Sequence, residues 1–170
     1  AVQAYQGLDI LVNNAGYTWD GVVQRTTDEM WYAMVDVHLT APFRVLRAAY
    51  PVLKQLHKAD RAEGRHRVRK VVNVSSMAGV FGNAGQAGYA AGKAGVLGMT
   101  KTLAKEWGRL QVTVNAVAFG LIETRLTRSV AAATTESIDG RDIKVGINPQ
   151  LLASIEAMVP LGRAGTPEDA

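Results

Sequence analysis

Residues 69–75 read RKVVNVS, and residues 86–107 read QAGYAAGKAGVLGMTKTLAKEW. The first stretch is rich in β-branched residues and bounded by polar ones, which predicts a strand of a buried parallel sheet. The second stretch has helical length and spacing, and it ends before Gly108, a residue type that commonly follows a helix. A strand followed by such a helix is typical of a β–α–β unit.

The same pattern extends along the chain in both directions. Leu8–Asn13 (LDILVN) and Val112–Ala118 (VTVNAVA) predict one strand on each side of the central one. Thr26 and Glu29 have the spacing of a capping box, which predicts that a helix begins at Thr26, and Pro42 predicts a break or a new helical start. Apolar residues then continue on one helical face: Phe43, Leu46, Tyr50, Leu53 and Leu56. This order of elements predicts an α/β fold with an open parallel sheet.

The predicted sheet is covered on one side only. Two right-handed crossovers that run in the same direction place both helices on the same face, and nothing obvious remains to cover the other face. We therefore expect residues 1–170 to be a single, incomplete domain, an internal portion of a larger one. Residues 124–148 are polar and weakly periodic, and a short helix is predicted at Pro149–Met158. The whole segment 124–158 is expected to be a substrate loop or lid.

Composition excludes several classes of protein. The chain has 170 residues and no cysteine, so disulfides, zinc–thiolate sites and thiol catalysis are impossible. No apolar run approaches the 18 residues that a membrane span requires, and we expect no membrane association. Cysteine-free composition is compatible with a reducing compartment, and we expect a cytoplasmic protein.

The formal net charge of +4 comes from one local run between Lys54 and Lys70, which holds seven basic residues against Asp60 and Glu63. We interpret this run as a solvated helix end that leads into an exposed loop. The alternative is a contact surface for phosphate or nucleic acid. No aromatic residue lies among the charges to stack on bases, so we expect no nucleic-acid partner.

Tyr89 and Lys93 are four residues apart in the predicted helix, so their side chains lie on one face. An ammonium group about 4 Å from a phenolate, at an effective dielectric constant near 20, stabilises the anion by about 4 kcal/mol. Such a pair lowers the pKa of the tyrosine toward the range in which general acid–base catalysis works. The alternative is an ordinary pair on a helix surface.

Polar residues follow two of the predicted strands. Ser76 comes directly after the central strand, and Asn13-Asn14-Ala15-Gly16 ends the first strand. Open α/β sheets place ligand-contacting groups at the carboxyl ends of their strands. Ser76 is therefore a candidate hydrogen-bond donor to a carbonyl oxygen. The alternatives are a helix cap for the serine and a simple turn for the asparagines.

Four motifs occur in sequence order: Asn13–Gly16 (NNAG), Ser76, Tyr89–Lys93 (YAAGK) and Val114–Val117 (VNAV). Together they resemble the short-chain dehydrogenase/reductase family, in particular the branch that includes beta-ketoacyl carrier protein reductases. The resemblance covers about residues 8–125, and a later segment from Pro160 to Asp169 is also similar. It implies a Rossmann-like, doubly wound parallel sheet, of which this chain holds about three central strands with their crossover helices.

The resemblance also implies a reaction. Tyr89 would protonate the carbonyl oxygen during reduction, Lys93 would lower its pKa and hold the nicotinamide ribose, and Ser76 would polarise the substrate oxygen. The cofactor would be NAD or NADP and the substrate a small ketone, such as a 3-oxoacyl compound, or a secondary alcohol. No metal is implied, and a homotetramer or homodimer is expected. The positions that would contact the cofactor, besides Tyr89 and Lys93, are Asn13, Ala15, Gly16, Ile122 and Thr124.

The chain departs from the family pattern at three places. His38 stands where the family has an asparagine associated with a proton relay, so it is either an altered catalytic residue or a packed core histidine. Phe119 replaces a proline, and no glycine-rich phosphate turn precedes Leu8. Because backbone amides at that turn hold the dinucleotide phosphates, we expect the chain alone to be almost inactive. The alternative function is a non-enzymatic scaffold that binds nucleotide, protein or RNA.

Overall fold

Three parallel strands form the centre of the molecule in the order β1–β2–β3. The computed structural model describes residues 2–124, 127, 134–138, 140–147 and 149–170. The strands are β1 (Ile10–Asn13), β2 (Arg69–Ser76), β3 (Val112–Phe119), β4 (Thr134–Ile138) and β5 (Arg141–Val145). The helices are α1 (Val2–Tyr5), α2 (Asp28–Val35), α3 (Ala41–Ala62), α4 (Met77–Phe81), α5 (Ala87–Trp107) and α6 (Pro149–Met158).

The register of the sheet aligns the carboxyl ends of its strands. Asn13 pairs with Asn73, and Ser76 at the end of β2 pairs with Phe119 at the end of β3. The predicted α/β fold is therefore confirmed, and β2 and β3 each extend one residue beyond the predicted strand. None of the helices in the described ranges is long and apolar enough to cross a bilayer.

Both crossover helices pack on the same face of the sheet. Leu46 and Leu53 of α3 and Trp107 of α5 form one buried cluster with Val71 and Val114 of the strands. On the opposite face the apolar side chains are open to solvent: Ile10 is 61% exposed and Val12 54% exposed. Among the residues that the structure describes, no element therefore covers Ile10 and Val12 on this second face.

The region between β1 and α3 differs in two details from the prediction. The cap of α2 is Thr27, whose hydroxyl accepts a hydrogen bond from the Met30 amide at 3.2 Å. Thr26, the predicted cap, instead donates to the Gly21 carbonyl. A π-helical segment, Asp36–Thr40, joins α2 to α3, and no sequence pattern predicted it. Pro42 lies in the first turn of α3, as a new helical start requires.

The segment predicted as a loop between residues 124 and 148 contains an antiparallel hairpin. β4 pairs with β5, and Gly140 has a φ of +75° in the connection. The sequence Asp139-Gly140 is a strong hairpin signal because this turn requires positive φ. The loop interpretation was therefore wrong for β4 and β5. The short helix at Pro149–Met158 was predicted correctly.

The basic run is not entirely a solvated surface. Arg69 is only 2% exposed, and its Nη2 atom lies 2.8 Å from Oδ2 of Asp60, which is also buried. Burial favours the neutral acid, but hydrogen bonds from Arg69 and Arg65 outweigh it and hold the pKa of Asp60 below its ordinary value. This pair links the end of α3 to the start of β2. The other basic residues of the run are exposed, as expected.

Candidate active site

Ser76 and Tyr89 meet where β2 ends and α5 begins. Ser76 is both the last residue of β2 and the cap of α4, where its hydroxyl accepts a hydrogen bond from the Ala78 amide at 3.2 Å. Tyr89 lies in the first turn of α5 and is half-buried. The Ser76 hydroxyl is near enough to the Tyr89 phenol to lower its pKa. The Ser76 hydroxyl and the Tyr89 phenol therefore lie side by side at the carboxyl edge of the sheet.

Lys93 lies one turn further along α5 and points to the same edge. Its Nζ atom donates to the Val74 carbonyl at 2.7 Å and lies 5.7 Å from the centroid of the Tyr89 ring. The side chain is buried, and burial lowers the pKa of its ammonium to about 8. Gly79 allows α4 to approach closely, because a Cβ there would lie 2.8 Å from the Lys93 Cβ.

The ionisation of Tyr89 differs from the expectation. Burial raises the pKa of its phenol above the ordinary value, the Ser76 hydrogen bond acts in the opposite direction, and the Asp20 carboxylate adds to the rise. The predicted lowering of this pKa by Lys93 is not among the causes of the shift. The phenol is therefore protonated at neutral pH, which is the form that donates a proton.

His38 packs against the Tyr89 ring. The two rings meet edge to face, with centroids 4.8 Å apart, and the His38 Nε2 atom lies 2.7 Å from the Tyr17 carbonyl oxygen. Burial, helped by the Lys93 charge, lowers the pKa of His38 to about 4 although the Tyr17 carbonyl opposes this. The imidazole is therefore neutral, with Nε2–H donating to Tyr17, and its Nδ1 atom has no partner among the described residues.

The predicted cofactor positions divide into two groups. Asn13 at the end of β1 donates its side-chain amide to Asn73 at 2.7 Å, and the backbone of Ala15 and Gly16 is exposed beyond it. After β3, Ile122 forms a bridge with Gly165, and the Thr124 amide donates to the Thr127 hydroxyl at 2.8 Å. The second group is thus held by Gly165 and Thr127.

The chemistry of the donors is suited to the ribose end of a nicotinamide cofactor. An ammonium has three donor hydrogens, and among the described residues the Val74 carbonyl is its hydrogen-bond partner, which leaves donors for ribose hydroxyls. The residues that the sequence predicts to hold the cofactor are Tyr89, Lys93, Asn13, Ala15, Gly16, Ile122 and Thr124. In the described residues 2–9, which precede β1, no glycine-rich turn joins a strand to a helix.

The site also contains residues that the sequence analysis missed. Gln86, just before α5, donates its side-chain amide to the Asp20 carboxylate at 2.8 Å. Asp20 in turn lines a cavity of about 460 Å³. Gln86 lies three residues before Tyr89, and this spacing could have predicted that it belongs to the site. No sequence pattern near Asp20 predicts that Asp20 belongs to it. The cavity is lined by Thr18, Trp19, Asp20, Asp142, Ile143 and Gly146.

Comparison with known proteins identifies the family of this chain. The family model described as short chain dehydrogenase matches residues 1–135. The chain belongs to the short-chain dehydrogenase family. A crystal structure of a short chain dehydrogenase from Mycobacterium avium is 37% identical, with a TM-score of 0.61 over 74% of this chain and 40% of that one. The resemblance predicted from the four motifs is confirmed.

Similar curated members of the short-chain dehydrogenase family carry the name 3-oxoacyl-(acyl-carrier-protein) reductase FabG. The protein from Thermotoga maritima is 40% identical over 169 residues, which is 99% of this chain and 57% of the relative. The one from Vibrio cholerae is 39% identical over 165 residues, 97% of this chain and 57% of the relative. The chain thus spans a little over half the length of these relatives.

Proposed function

We propose that the protein is an oxidoreductase that transfers a hydride between a nicotinamide cofactor, NAD or NADP, and a carbonyl compound or secondary alcohol. The observation that carries this proposal is that Ser76, Tyr89 and Lys93 lie together at the carboxyl edge of the sheet, with the Ser76 hydroxyl near enough to lower the pKa of the phenol and the Lys93 ammonium 5.7 Å from the centroid of the phenol ring. Family membership supports the same reaction class.

Tyr89 acts as the general acid in the direction of carbonyl reduction. Its raised pKa keeps the proton on the phenol at neutral pH, and the alkoxide formed from a carbonyl is a much stronger base than a phenolate. The Ser76 hydroxyl donates a hydrogen bond to the same substrate oxygen and stabilises the developing negative charge. The bound cofactor supplies the hydride that reaches the substrate carbon.

Lys93 binds and orients the nicotinamide cofactor. With a pKa of about 8, its ammonium is charged at neutral pH, and the hydrogen bond to Val74 fixes its direction. From there it holds hydroxyl groups of the cofactor ribose. His38 remains neutral and supports the Tyr89 ring through its edge-to-face contact.

The names of the relatives suggest the substrate class, a 3-oxoacyl thioester or a related ketone. We further propose a cytoplasmic homotetramer or homodimer that assembles through the outer surfaces of α3 and α5. A groove of about 740 Å³ lies between these helices and includes Phe43, Tyr50, Met99 and Trp107. Of these residues Phe43 is exposed, and aromatic side chains are enriched at subunit interfaces.

The test is the activity of the full-length gene product with NADH or NADPH and a panel of ketones. Replacing Tyr89 with Phe should lower kcat by about 10²–10⁴-fold because it removes the proton donor and little else. Tyr32→Phe is the matched control, since Tyr32 is exposed on α2, and it should keep full activity. Turnover that survives Tyr89→Phe would contradict the proposal, and no turnover by the unaltered protein would favour the scaffold function.

A further inference from the structure

We propose that Ser75 is a positioning residue, whose buried hydroxyl holds the main chain of Lys93 against the end of β2. Ser75 is the neighbour of Ser76, but its hydroxyl binds the lysine rather than the substrate. The consequence for hydride transfer rests on the proposed function. The physical content, that the position of the Lys93 ammonium depends on the Ser75 hydroxyl, can be measured without turnover.

The two adjacent serines at the end of β2 point to opposite faces of the strand. Side chains alternate along a strand with a period of two, and in β2 Val71, Asn73 and Ser75 belong to the buried set. Ser75 is 3% exposed, whereas Ser76 is half-buried. The hydroxyl of Ser75 is therefore enclosed in the fold, where its partner must be a protein group.

That partner is Lys93 on α5. The Ser75 hydroxyl donates to the carbonyl oxygen of Lys93 at 2.8 Å. The Nζ atom of Lys93 donates to the carbonyl oxygen of Val74, the preceding residue of β2, at 2.7 Å. Lys93 is thus bonded through its main chain and its side chain to two consecutive residues of β2. Because Ser76 is the next residue of the strand, these two bonds fix the position of Lys93 relative to Ser76.

The Lys93 main chain is enclosed on a further side by α4. A Cβ at Gly79 would lie 2.7 Å from the carbonyl carbon of Lys93, so glycine is what allows α4 to approach this closely. Lys93 is only 5% exposed. Apolar burial has no fixed direction, whereas a hydrogen bond has one. In this enclosure the Ser75 hydroxyl is therefore the contact that orients the Lys93 carbonyl.

The Ser75 bond is not needed to form α5 itself. The helix runs from Ala87 to Trp107, so the Lys93 carbonyl also accepts the regular helical bond from the amide four residues further on. A carbonyl oxygen has two lone pairs, and Ser75 supplies the second donor. Removal of the hydroxyl leaves no buried acceptor without a partner, and we expect a variant that lacks it to fold.

A second hydrogen bond between β2 and α5 provides the matched control. The Asn73 side-chain amide donates to the Thr100 hydroxyl at 2.9 Å, and this hydroxyl donates to the Val96 carbonyl at 2.7 Å. Thr100 is buried like Ser75 and joins the same strand to the same helix. It lies two turns, about 10 Å, along α5 from Lys93. Its loss should therefore weaken the same interface without releasing Lys93.

The direct test is a pH titration by NMR of the full-length gene product with Cε-labelled lysine, in which Lys93→Arg assigns the Lys93 signal. Burial lowers the pKa of Lys93 to about 8, so the titration midpoint reports how far the ammonium is enclosed. The facing groups, Tyr89 and His38, are both neutral near this pH. We expect Ser75→Ala to move the Lys93 midpoint upward, toward the ordinary value of a lysine.

Further variants separate the hydrogen bond from the space that the side chain fills. Ser75→Thr keeps the hydroxyl and should keep the midpoint, whereas Ser75→Cys fills the space with a weak donor and should move it upward. Thr100→Val should lower the urea midpoint about as much as Ser75→Ala but leave the Lys93 titration unchanged. An unmoved Lys93 midpoint in Ser75→Ala, or an equal shift in Thr100→Val, would overturn the inference.

The catalytic arm measures hydride transfer with the nicotinamide cofactor as the varied substrate. A displaced ammonium holds the ribose less well, so Ser75→Ala should lower kcat/KM for the cofactor by about 10–100-fold, and Ser75→Thr should restore it. A merely structural role would reduce the amount of folded enzyme and leave the KM of the folded fraction unchanged. A shifted Lys93 midpoint in a protein that transfers no hydride would refute the proposed function but support the positioning role.

Discussion

His38 shows how closely the side chains around Tyr89 are fitted together. A Cβ at Gly16 would lie 2.5 Å from the His38 Cε1 atom, and a Cβ at Gly92 would lie 2.8 Å from the His38 Cβ. Glycine at these positions is therefore required for an imidazole at residue 38. Because the side chain is only 3% exposed, protonation would place a charge where little solvent reaches it.

We expect His38 to make the protein less stable in mild acid. Its folded pKa of about 4 is below the unfolded value near 6.5, so the unfolded state binds more protons between these values. The free energy of unfolding should fall by up to about 3 kcal/mol as the pH drops through this window. Urea unfolding at several pH values measures this free energy. In His38→Asn, the slope of the free energy of unfolding against pH should be smaller. An identical slope in His38→Asn would contradict the assignment.

The close contact at Gly79 gives a second prediction. Gly79→Ala places a methyl group 2.7 Å from the Lys93 carbonyl carbon and 2.9 Å from the Ala94 amide nitrogen, and backbone cannot move away easily. We expect a loss of about 1–3 kcal/mol in the free energy of unfolding. Gly98→Ala is the matched control, because that position on α5 is open and alanine favours a helix by about 1 kcal/mol. Equal effects of the two substitutions would refute the packing argument.

Strands and helices with a regular apolar pattern could be predicted from the sequence. Features that depend on a local irregularity, such as the π-helical segment and the cap of α2, could not. β2 and α5 were predicted to within a residue because their patterns are long and continuous. The π-helical segment has no sequence signature, since it only inserts a wider turn between two helical stretches. Thr26 and Thr27 offer equivalent hydroxyls, and the Gly21 carbonyl decides between them by binding Thr26.

The ion pair that joins α3 to β2 should contribute to stability. Asp60→Asn removes the partner of a buried guanidinium and should lower the urea midpoint clearly. Asp36→Asn, which loses an exposed pair with Arg44, should leave the midpoint almost unchanged. A folded pKa below the unfolded one means that the contribution of Asp60 exists above about pH 4 and disappears in stronger acid. The Asp60→Asn variant should therefore converge with the parent protein only in stronger acid.

At the scale of the whole molecule, the sequence predicted how the site residues meet but not how they ionise. Ser76 ends a strand and Tyr89 and Lys93 share a helix face, so topology alone brings them to one edge of the sheet. The link between Asp20 and Gln86 spans 66 residues and depends on two loop conformations, which no local pattern encodes. Burial of the phenol is likewise a property of the assembled fold, and it reverses the expected direction of the pKa shift.

Transfer of a labelled hydride tests the central claim most directly. The full-length gene product is given a reduced nicotinamide cofactor that carries deuterium at its transferable position, together with a 3-oxoacyl thioester or a simple ketone. The account predicts an alcohol with deuterium on the carbinol carbon, and a loss of this product in Tyr89→Phe. Cofactor binding without any deuterated alcohol, or the same labelled yield from Tyr89→Phe, would contradict it.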